Sequence, residues 1–373
     1  MKRRDFLKKS GVVAASASLS PLMFANAQAT SFSFGMVTSW PTALDTIYGG
    51  ATNSAQYLNE LTGGDVEIQV YPAGAQVGGL EVYDAVSSGA FEMGNTASYY
   101  YIGKDPTHAF FTTVPFGMNA QQMDAWLASG GGQELFNELN AVDNLIAFPA
   151  GNTGVQMGGW FRQEINSPED LQGLTMRIPG LGGQVMSRVG VNVQNLPGPE
   201  IFLALDTGAI DATEWIGPYD DEILGLNTAA DYYYAPGWHE PGPTLCNYIN
   251  LDVYNGLPAE IQQAIQIASA AANQKMLADY DAQNGPALNR LVEAGTQLRT
   301  FSDETLSALE TAMNEIHDEF AGQNERYASV LEAYRTFQSG IRDWHDIGEF
   351  AYNEYVYSAA AEDTETGGGE TGG

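Results

Sequence analysis

Strand and helix patterns alternate along most of the chain, and this alternation constrains the fold more than any other feature of the sequence. From residue 31 onward, short strand-like runs are followed by amphipathic helical stretches, first at 31–40 and 46–61 and then at 65–71 and 80–88. Such a β-α-β rhythm is typical of an α/β domain with a largely parallel sheet. A second series of the same kind runs from about 146 to 251.

The C-terminal part of the chain has a different, nearly all-helical pattern. Long amphipathic stretches occupy 259–294 and 302–342, with a short strand between them near 296–300. Two α/β series followed by long helices predict a hinged, two-lobed α/β binding protein. The last residues are rich in Glu, Thr and Gly, a composition typical of a disordered tail.

The first residues have the layout of a cleavable export signal. A basic stretch over 1–10 precedes a weakly apolar run and then small residues, so that cleavage between Ala27 and Ala29 is expected but its site is left open. The Arg3-Arg4 pair followed by Phe6 resembles the twin-arginine signal, which directs export of an already folded protein. We therefore expect the mature protein in the periplasm.

Together these patterns divide the chain into five segments. We expect a twin-arginine signal peptide, a first α/β lobe, a second α/β lobe, a helical segment that packs across both lobes, and a disordered acidic tail. Their predicted boundaries are, in the same order, 1–29, 30–150, 151–252, 253–360 and 361–373.

The charge of the chain limits its partners. The formal net charge is −31, and removal of the predicted signal leaves 10 basic and 45 acidic residues. So few cations exclude a nucleic-acid surface, and an anionic ligand requires positive charge concentrated at one place. Cys246 is the only cysteine, which rules out an intrachain disulfide and zinc sites built on cysteine pairs. We expect a small buried side chain there.

Sequence signatures of catalysis are absent. The chain contains neither G-x-S-x-G nor H-E-x-x-H, and its four histidines are scattered. The glycine-rich stretch at 178–183 follows a strand and begins a helix, but Val185 stands where a dinucleotide-binding fingerprint needs its third glycine. We interpret this stretch as a turn that lets backbone approach a ligand.

Two strand ends carry residues that suit a ligand site. Arg177 ends one strand, and a guanidinium group there matches a carboxylate. Glu214 and Trp215 end another, where they offer a ligand for a hard cation and a flat apolar wall. The alternatives are a surface arginine paired with an acid, and an ordinary strand-end acid beside a core tryptophan. Asp220 and Asp221 fit a solvated helix start better than a cation site.

Weaker candidates lie where the two α/β series meet. Asn152 and Gln156 offer neutral donors and acceptors, and Tyr100 and Tyr101 offer hydroxyl groups from the first lobe. An aromatic and acidic cluster at 238–241 follows a run of tyrosines. Each of these features alone is equally compatible with packing.

Several long blocks carry a family resemblance. They lie at 151–162, 176–178, 205–215, 217–221 and 236–243. Through them the chain resembles the extracytoplasmic solute receptors of TRAP transporters, in the DctP-like group. It is most similar to the subgroup that binds 2-oxo acids and lactate. The resemblance spans nearly all of the mature chain and implies a two-lobed periplasmic binding protein that closes over a carboxylate.

The resemblance also implies roles for individual residues. Arg177 matches the arginine that forms a salt bridge with the ligand carboxylate. A cation, calcium or sodium, bridges ligand and protein in this subgroup. Gln156, Glu214 and the backbone carbonyl of Trp215 match its ligands, and Glu240 is a further candidate.

The positions that line the ligand are matched less securely. They are Tyr100, Tyr101 and Asn152, with Gln156 and Trp215 also beside the solute. His239 departs from an aromatic residue at its position, and this departure affects the shape of the pocket rim.

The resemblance implies a receptor rather than an enzyme. We expect it to capture a pyruvate-like 2-oxo monocarboxylate with a bound cation and to deliver it to the membrane subunits of a TRAP importer. The alternatives are a receptor for lactate or a C4-dicarboxylate, a receptor that signals to a sensor, and a cation-dependent periplasmic enzyme acting on a 2-oxo acid. An enzyme requires a general base beside the ligand. The family also permits a homodimer through the C-terminal helices.

Overall fold

The computed structural model describes residues 31–366, with side chains up to residue 358. The predicted twin-arginine signal and its cleavage site lie outside the described residues, as does the tail from 367 onward. No helix within the described part of the chain is both long and apolar enough to span a membrane.

The described residues form eleven strands and twelve α-helices. The strands are β1 (Phe32–Thr38), β2 (Val66–Tyr71), β3 (Met93–Thr96), β4 (Leu145–Asn152), β5 (Gly159–Phe161), β6 (Thr175–Arg177), β7 (Asn192–Gln194), β8 (Ala212–Thr213), β9 (Tyr232–Ala235), β10 (Thr244–Asn250) and β11 (Gln297–Thr300). The helices are α1 (Asp45–Leu61), α2 (Val82–Ser87), α3 (Ala120–Ser129), α4 (Gly132–Ala141), α5 (Gly180–Arg188), α6 (Gly198–Asp206), α7 (Pro218–Leu224), α8 (Leu251–Asn255), α9 (Ala259–Glu293), α10 (Asp303–Gln323), α11 (Glu325–His345) and α12 (Ala351–Thr366).

The strands form two sheets, one in each lobe. The first has the order β2-β1-β3-β10-β4 and the second the order β11-β9-β5-β8-β6-β7. Each sheet contains one strand that runs against both of its neighbours, β10 in the first and β5 in the second. Each of these strands enters from the other lobe, and its direction is therefore reversed. The sheets are mixed rather than largely parallel.

This topology places strand ends from both lobes at one cleft. The chain leaves the first sheet at the end of β4 and enters β5 after residues 153–158, and it returns from β9 to β10 through residues 236–243. Because β10 begins beside the ends of β3 and β4, the cleft edge of the first sheet consists of the ends of β1, β3 and β4. These two segments, 153–158 and 236–243, are called the connecting segments below.

The lobes differ from the sequence-based division in two strands, β10 and β11. The strand β11 lies within the predicted helical segment 253–360 but pairs with β9 in the second sheet. The predicted second lobe at 151–252 includes β10, but β10 pairs with β3 and β4 in the first sheet. The pattern of a segment shows that it is a strand but not which sheet it joins, since pairing is a tertiary property. The strand β9 lies in a tyrosine run that the sequence pattern indicates only as an aromatic cluster.

The C-terminal helices pack across both lobes. The 35-residue helix α9 packs against α1 and β4 of the first lobe and against α7 of the second. The predicted helical stretch at 302–342 is two helices, because Asn324 interrupts it and its side chain caps α11 by accepting from the backbone N–H of Tyr327. Helix α12 continues to Thr366, so the chain is still helical where the disordered tail was expected to begin at 361.

Apolar residues form a core within each lobe. In the first lobe, Phe111 stacks on Trp126 and Phe136 at ring distances of 5.5 and 4.4 Å. In the second, Trp160 stacks on Tyr233 at 4.0 Å. Cys246 lies fully buried in β10, as the sequence predicts.

Candidate functional site

A narrow cavity with a volume of only about 10 Å³ lies between the lobes. It is closed by residues that follow strand ends in both sheets and by the two connecting segments. The lining residues are Trp40, Ile47, Tyr99, Tyr100, Thr153, Gln156, Arg177, Trp215, Ile216, Glu240, Pro243 and Leu245.

The two lobes touch each other around this cavity. Gly180, at the start of α5, has a φ of +63°, and a Cβ atom there would lie 2.2 Å from the ring of Tyr99 in the first lobe. Only glycine permits both this backbone conformation and this approach. The glycine-rich turn therefore admits a tyrosine of the opposite lobe. A hydrogen bond from Tyr219 to Asp45, at 3.1 Å, also joins the lobes.

Arg177 is the cationic centre of the site. Its side chain is 1% exposed and donates from Nε to the carbonyl oxygen of Leu196 at 3.1 Å. Its Nη1 pairs with the carboxylate of Glu214, while Nη2 has no hydrogen-bond partner within residues 31–358. Burial lowers the pKa of the guanidinium, but Glu214 together with the nearby Tyr100, Tyr99 and Glu240 outweighs this and raises the pKa above its ordinary value. Arg177 is thus a buried cation with one donor directed at no protein acceptor.

Three side chains with metal-ligating atoms meet beside Arg177. Glu214, His239 and Glu240 each offer one donor atom, and these atoms lie within 4.8 Å of one another. Nε2 of His239 is 3.6 Å from Oε2 of Glu214, and both side chains are 1% exposed. Oε2 of Glu214 and Oε2 of Glu240 have no hydrogen-bond partner in the described part of the chain.

The pKa of Glu240 reflects this crowding. Burial and the neighbouring carboxylate of Glu214 raise the pKa well above its ordinary value, and Arg177 and Tyr99 only partly oppose the shift. Two buried carboxylates so close together carry an electrostatic cost, which a cation beside both of them would relieve.

Gln156 ties the connecting segments together and lines the same cavity. Its backbone N–H donates to the carbonyl oxygen of Glu240 at 3.1 Å, and its Nε2 donates to Thr153 at 3.2 Å. Oε1 is buried and has no partner among the described residues. A Cβ atom at Gly237 would lie 2.1 Å from the carbonyl oxygen of Gln156, so glycine is required for this close approach.

The donor set fits a hard cation. Oε1 of Gln156 and one oxygen each from Glu214 and Glu240 are buried and unused by the protein residues described here. Calcium and sodium prefer such oxygen ligands, and an amide and two carboxylates are typical of a calcium site. The sequence-based assignment of Gln156, Glu214 and Glu240 as cation ligands remains a prediction, as does that of the backbone carbonyl of Trp215.

Trp215 forms one wall of the cavity and is held in place by buried neighbours. The guanidinium of Arg177 lies 5.3 Å from the centre of the Trp215 ring. The indole Nε1 of Trp215 donates to Oδ2 of Asp220 at 3.1 Å. Tyr280 of α9 donates to the same oxygen at 3.0 Å. Asp220 and Asp221 are buried, contrary to the expectation of a solvated helix start. Burial raises the pKa of each to about 7.

The polar atoms of Tyr101 and Asn152 have protein partners rather than lining the cavity. The hydroxyl group of Tyr101 accepts from the backbone N–H of Tyr83 at 3.2 Å and lies 3.0 Å from Thr96, within the first-lobe core. Asn152 donates to the carbonyl oxygen of Gly242 at 3.3 Å and accepts from the backbone N–H of Gly154 at 2.9 Å. Tyr100 does line the cavity.

The comparison with protein families agrees with this architecture. Residues 36–324 match the family described as bacterial extracellular solute-binding protein, family 7, also called DctP. The chain belongs to this family. It is therefore a solute-binding receptor of the TRAP type, which confirms the prediction of a receptor rather than an enzyme.

Two proteins similar to this chain have names or structures that identify a ligand. A monocarboxylate 2-oxoacid-binding periplasmic protein of Nostoc sp. is 49% identical over 96% of this chain and 100% of its own length. A TRAP solute-binding protein of Bordetella bronchiseptica is 40% identical, with a TM-score of 0.88, covering 89% of this chain and 99% of its own. It is a dimer with copurified calcium and picolinate in one active site and the other site apo.

A third relative has a different ion. The TRAP solute-binding protein of Pseudoalteromonas atlantica has bound sodium and pyruvate. It is 37% identical to this chain, with a TM-score of 0.84, and the match covers 87% of this chain and 99% of its own. Relatives of this family are named as periplasmic, and the receptor is a two-lobed periplasmic binding protein, as predicted.

The structure of this receptor also adds residues that sequence reasoning passed over. Trp40 and Tyr99 line the cavity but were not among the predicted site residues. Trp40 ends the first predicted strand, and that position was a usable signal because strand ends face the cleft. Tyr99 stood in the right tyrosine run, but no pattern in that run shows which ring faces outward. The sequence places His239 only at the rim of the pocket, whereas in the structure it lies among the candidate cation ligands.

Proposed function

We propose that this receptor captures a small 2-oxo monocarboxylate, with pyruvate as the first candidate, together with a calcium or sodium ion. It then delivers the solute to the membrane subunits of a TRAP importer. One observation carries the proposal. A buried donor, Nη2 of Arg177, and buried acceptor oxygens of Gln156 and Glu240 belong to residues that line one cavity, and they have no protein partner in the described chain. An unpartnered carboxylate oxygen of Glu214 lies beside them, because Glu214 pairs with Arg177.

These two kinds of atom fit an anion and a cation placed side by side. Nη2 of Arg177 would donate to the solute carboxylate. Gln156, Glu214 and Glu240 would hold the cation, with the carbonyl of Trp215 as a further ligand. A 2-oxo acid presents a carboxylate oxygen and a keto oxygen that chelate a hard cation together. The names of the relatives, which include 2-oxoacid and pyruvate binding, support the same solute class.

The cavity favours a short solute with one charge. Arg177 is the only lysine or arginine among the residues lining the cavity, so a second carboxylate would lack a cationic partner there. This disfavours a C4-dicarboxylate. Trp215 and Tyr100 present aromatic surface, which suits a short apolar tail. Lactate remains the second candidate, because it carries a hydroxyl group on the carbon atom where pyruvate carries the keto oxygen.

The test is a thermal-shift and calorimetry series on the mature protein. The protein is freed of solute by unfolding, freed of metal by chelation and then refolded. Pyruvate, longer 2-oxo acids, lactate and succinate are each added with calcium, with sodium, or with chelator and a potassium salt. We expect pyruvate to raise Tm only when calcium or sodium is present, because a ligand that binds only the folded state stabilises it. A shift with succinate alone would reject the proposed solute.

We further propose that the receptor forms a homodimer through its C-terminal helical end. Large apolar side chains there are exposed in the single chain: Trp344, Ile347, Phe350, Tyr352, Tyr355 and Tyr357 are each at least 60% exposed. Isolated chains rarely leave so many large apolar groups in water. A second copy is the proposed cover, and the dimer of the Bordetella bronchiseptica relative supports it.

Light scattering on the purified receptor tests the dimer. The intact chain is expected to have the mass of two copies, and a variant with Phe350→Ser and Tyr355→Ser is expected to have the mass of one. Leu203→Ser is the control, because Leu203 is 64% exposed on α6 of the second lobe. A monomeric intact chain would contradict the proposal.

A further inference from the structure

His239 has no evident purpose in a site for calcium or sodium. Its side chain is 1% exposed, and neither ring nitrogen has a hydrogen-bond partner among the described residues. A buried imidazole without partners is unfavourable, because polar atoms removed from water need new partners. Hard cations are served by oxygen ligands alone. The presence of a nitrogen donor at this place therefore needs its own explanation.

The position of His239 is well defined by its neighbours. Its ring lies 5.3 Å from that of Trp238, which itself stacks on Phe116 at 5.6 Å. On the other side, a Cβ atom at Gly182 of α5 would lie only 3.0 Å from the Cβ of His239. Helix α5 thus leaves room for this residue, and packing directs its ring toward Glu214.

The separation of the two side chains suits a shared metal better than a direct bond. Nε2 of His239 and Oε2 of Glu214 are 3.6 Å apart, which is longer than a hydrogen bond. Two ligands about 2.1 Å from one tetrahedral ion are separated by about 3.4 Å. Glu240 contributes a third donor atom within 4.8 Å of the others. Three protein ligands that leave a further position open are typical of zinc sites that bind water or substrate.

We propose that His239 is a nitrogen ligand of this cation site, and that the site therefore also accepts divalent first-row transition metals such as manganese, cobalt and zinc. Imidazole nitrogen suits these ions, and their affinity for nitrogen and oxygen ligands increases from manganese through cobalt to nickel and copper. The inference rests on the cation site of the proposed function but not on the identity of the solute.

The test measures metal binding directly, without solute. Metal-free mature receptor is titrated with cobalt, and the visible absorption of bound cobalt is recorded. Calorimetry then gives the affinities for cobalt, zinc and calcium. We expect cobalt and zinc to bind, and His239→Gln to weaken their binding by about 10- to 100-fold. Calcium binding is expected to change by less than about 3-fold, since glutamine retains an oxygen donor.

His345→Gln is the matched control. His345 is also buried but lies on α11, where its Nδ1 is 3.2 Å from Nε2 of Gln122, away from the cavity. This variant is expected to keep all three affinities. Circular dichroism and thermal unfolding of each variant show that it is folded. His239→Asn, which shortens the side chain, serves as a second variant if His239→Gln does not fold.

The other outcomes separate this inference from the proposed function. An equal loss of calcium and cobalt affinity in the folded variant would overturn it, because His239 would then only support the site. Absence of cobalt binding in a receptor that still responds to pyruvate with calcium would also overturn it, and the proposed function would stand. Histidine-dependent cobalt binding in a receptor that ignores 2-oxo acids would support it while the proposed solute fails.

Discussion

The two lobes contribute different chemistry to one cavity. The first lobe provides Trp40, Ile47, Tyr99, Tyr100 and Leu245, none of which is charged at neutral pH. The charged groups come from the second lobe and from the connecting segments. In the described chain, the charged groups of the candidate site are thus concentrated on one side, and the other side is an aromatic surface.

This difference suggests an order of events in binding. Charges held together in advance need little rearrangement to receive an anion and a cation. An aromatic surface adds contact area and excludes water, but only after the lobes approach each other. We therefore expect the solute and the cation to bind first to the second-lobe side. The first lobe then closes, because the closed state binds the solute and the cation more tightly than the open state does.

The largest effect is expected from Arg177→Ala. Loss of this group leaves Glu214 buried without its partner and removes the proposed donor for the solute carboxylate. Affinity for pyruvate should fall by about 1000-fold, or about 4 kcal/mol. Calorimetry measures the affinity, with circular dichroism to confirm folding. Arg188→Ala, which removes an exposed pair with Glu319, should bind as the natural chain does. Unchanged affinity in Arg177→Ala would refute the role of the second lobe.

The second effect concerns stability and pH in the second lobe. The pKa of Asp220 is raised to about 7, so its contribution to stability is fully present below pH 4 and is lost as pH rises through 7. Oδ1 of Asp220 lacks a partner in the described residues, and an amide group fits there. In the natural chain, the free energy of unfolding should therefore decrease by on the order of 2–4 kcal/mol between pH 5 and pH 8. Asp220→Asn should abolish this decrease.

Chemical denaturation at several pH values measures how the free energy of unfolding changes with pH. Glu222→Gln, at a half-buried carboxylate paired with Arg290, is the control and should keep the pH dependence of the natural chain. An unchanged pH dependence in Asp220→Asn would show that this carboxylate is ionised throughout the range.

The third effect tests the cation. Glu214→Gln keeps a side chain of the same size but removes one charge from the cation site. The affinity for pyruvate in the presence of calcium should fall by roughly 30-fold, or about 2 kcal/mol. The dependence of Tm on calcium should also become weaker. Equal responses to calcium in Glu214→Gln and in Glu222→Gln would contradict the assignment of the cation site.

The fourth effect concerns how the stability of the first lobe depends on pH. Burial lowers the pKa of His108 to about 4. Its stabilising contribution is present above the unfolded pKa of about 6.5 and is lost as pH falls toward 4. We expect hydrogen exchange, corrected for its intrinsic pH dependence, to show first-lobe protection decreasing by on the order of 1–2 kcal/mol from pH 7 to pH 5. Because of Asp220, protection in the second lobe should instead increase from pH 7 to pH 5. If protection changed in the same direction in both lobes, the proposed difference between them would be contradicted.

The smallest effect is expected from the aromatic side. Tyr100→Phe keeps the ring that lines the cavity and removes only its hydroxyl group. Pyruvate affinity should fall by about 5-fold, or about 1 kcal/mol, mainly through faster dissociation. Stopped-flow measurements give the rate constants. Tyr57→Phe, on α1 outside the cavity lining, is the control. A loss as large as that of Arg177→Ala would remove the distinction between the lobes.

Much of the fold and part of the site follow from local sequence. Helix α1 is predicted at 46–61 and observed at Asp45–Leu61, because an amphipathic pattern depends only on neighbours along the chain. Arg177 and Glu214 stand at strand ends, and strand ends can be recognised from the pattern. Sequence reasoning left open whether Arg177 pairs with a surface acid or binds a ligand. The structure shows it buried against Glu214 with one further donor unused.

Other features depend on how distant segments meet. Tyr99, Tyr100 and Tyr101 are consecutive, yet the first two line the cavity and the third points into the core. Their directions are set by a short 3₁₀ turn and by packing, which no residue pattern encodes. Asn152 was expected beside the solute, but its amide bonds to Gly242 from a distant part of the chain.

The sequence by itself therefore determined the alternation of strands and helices, the acidic character of the chain and the residue types available at strand ends. These properties are local or compositional. Tertiary structure alone decided that β10 joins the first sheet, that Arg177 meets Glu214, and that His239 meets both Glu214 and Glu240. Apart from the sequence neighbours His239 and Glu240, each of these contacts joins residues that are distant along the chain, and pairing across such distances is fixed by the packing of the whole fold.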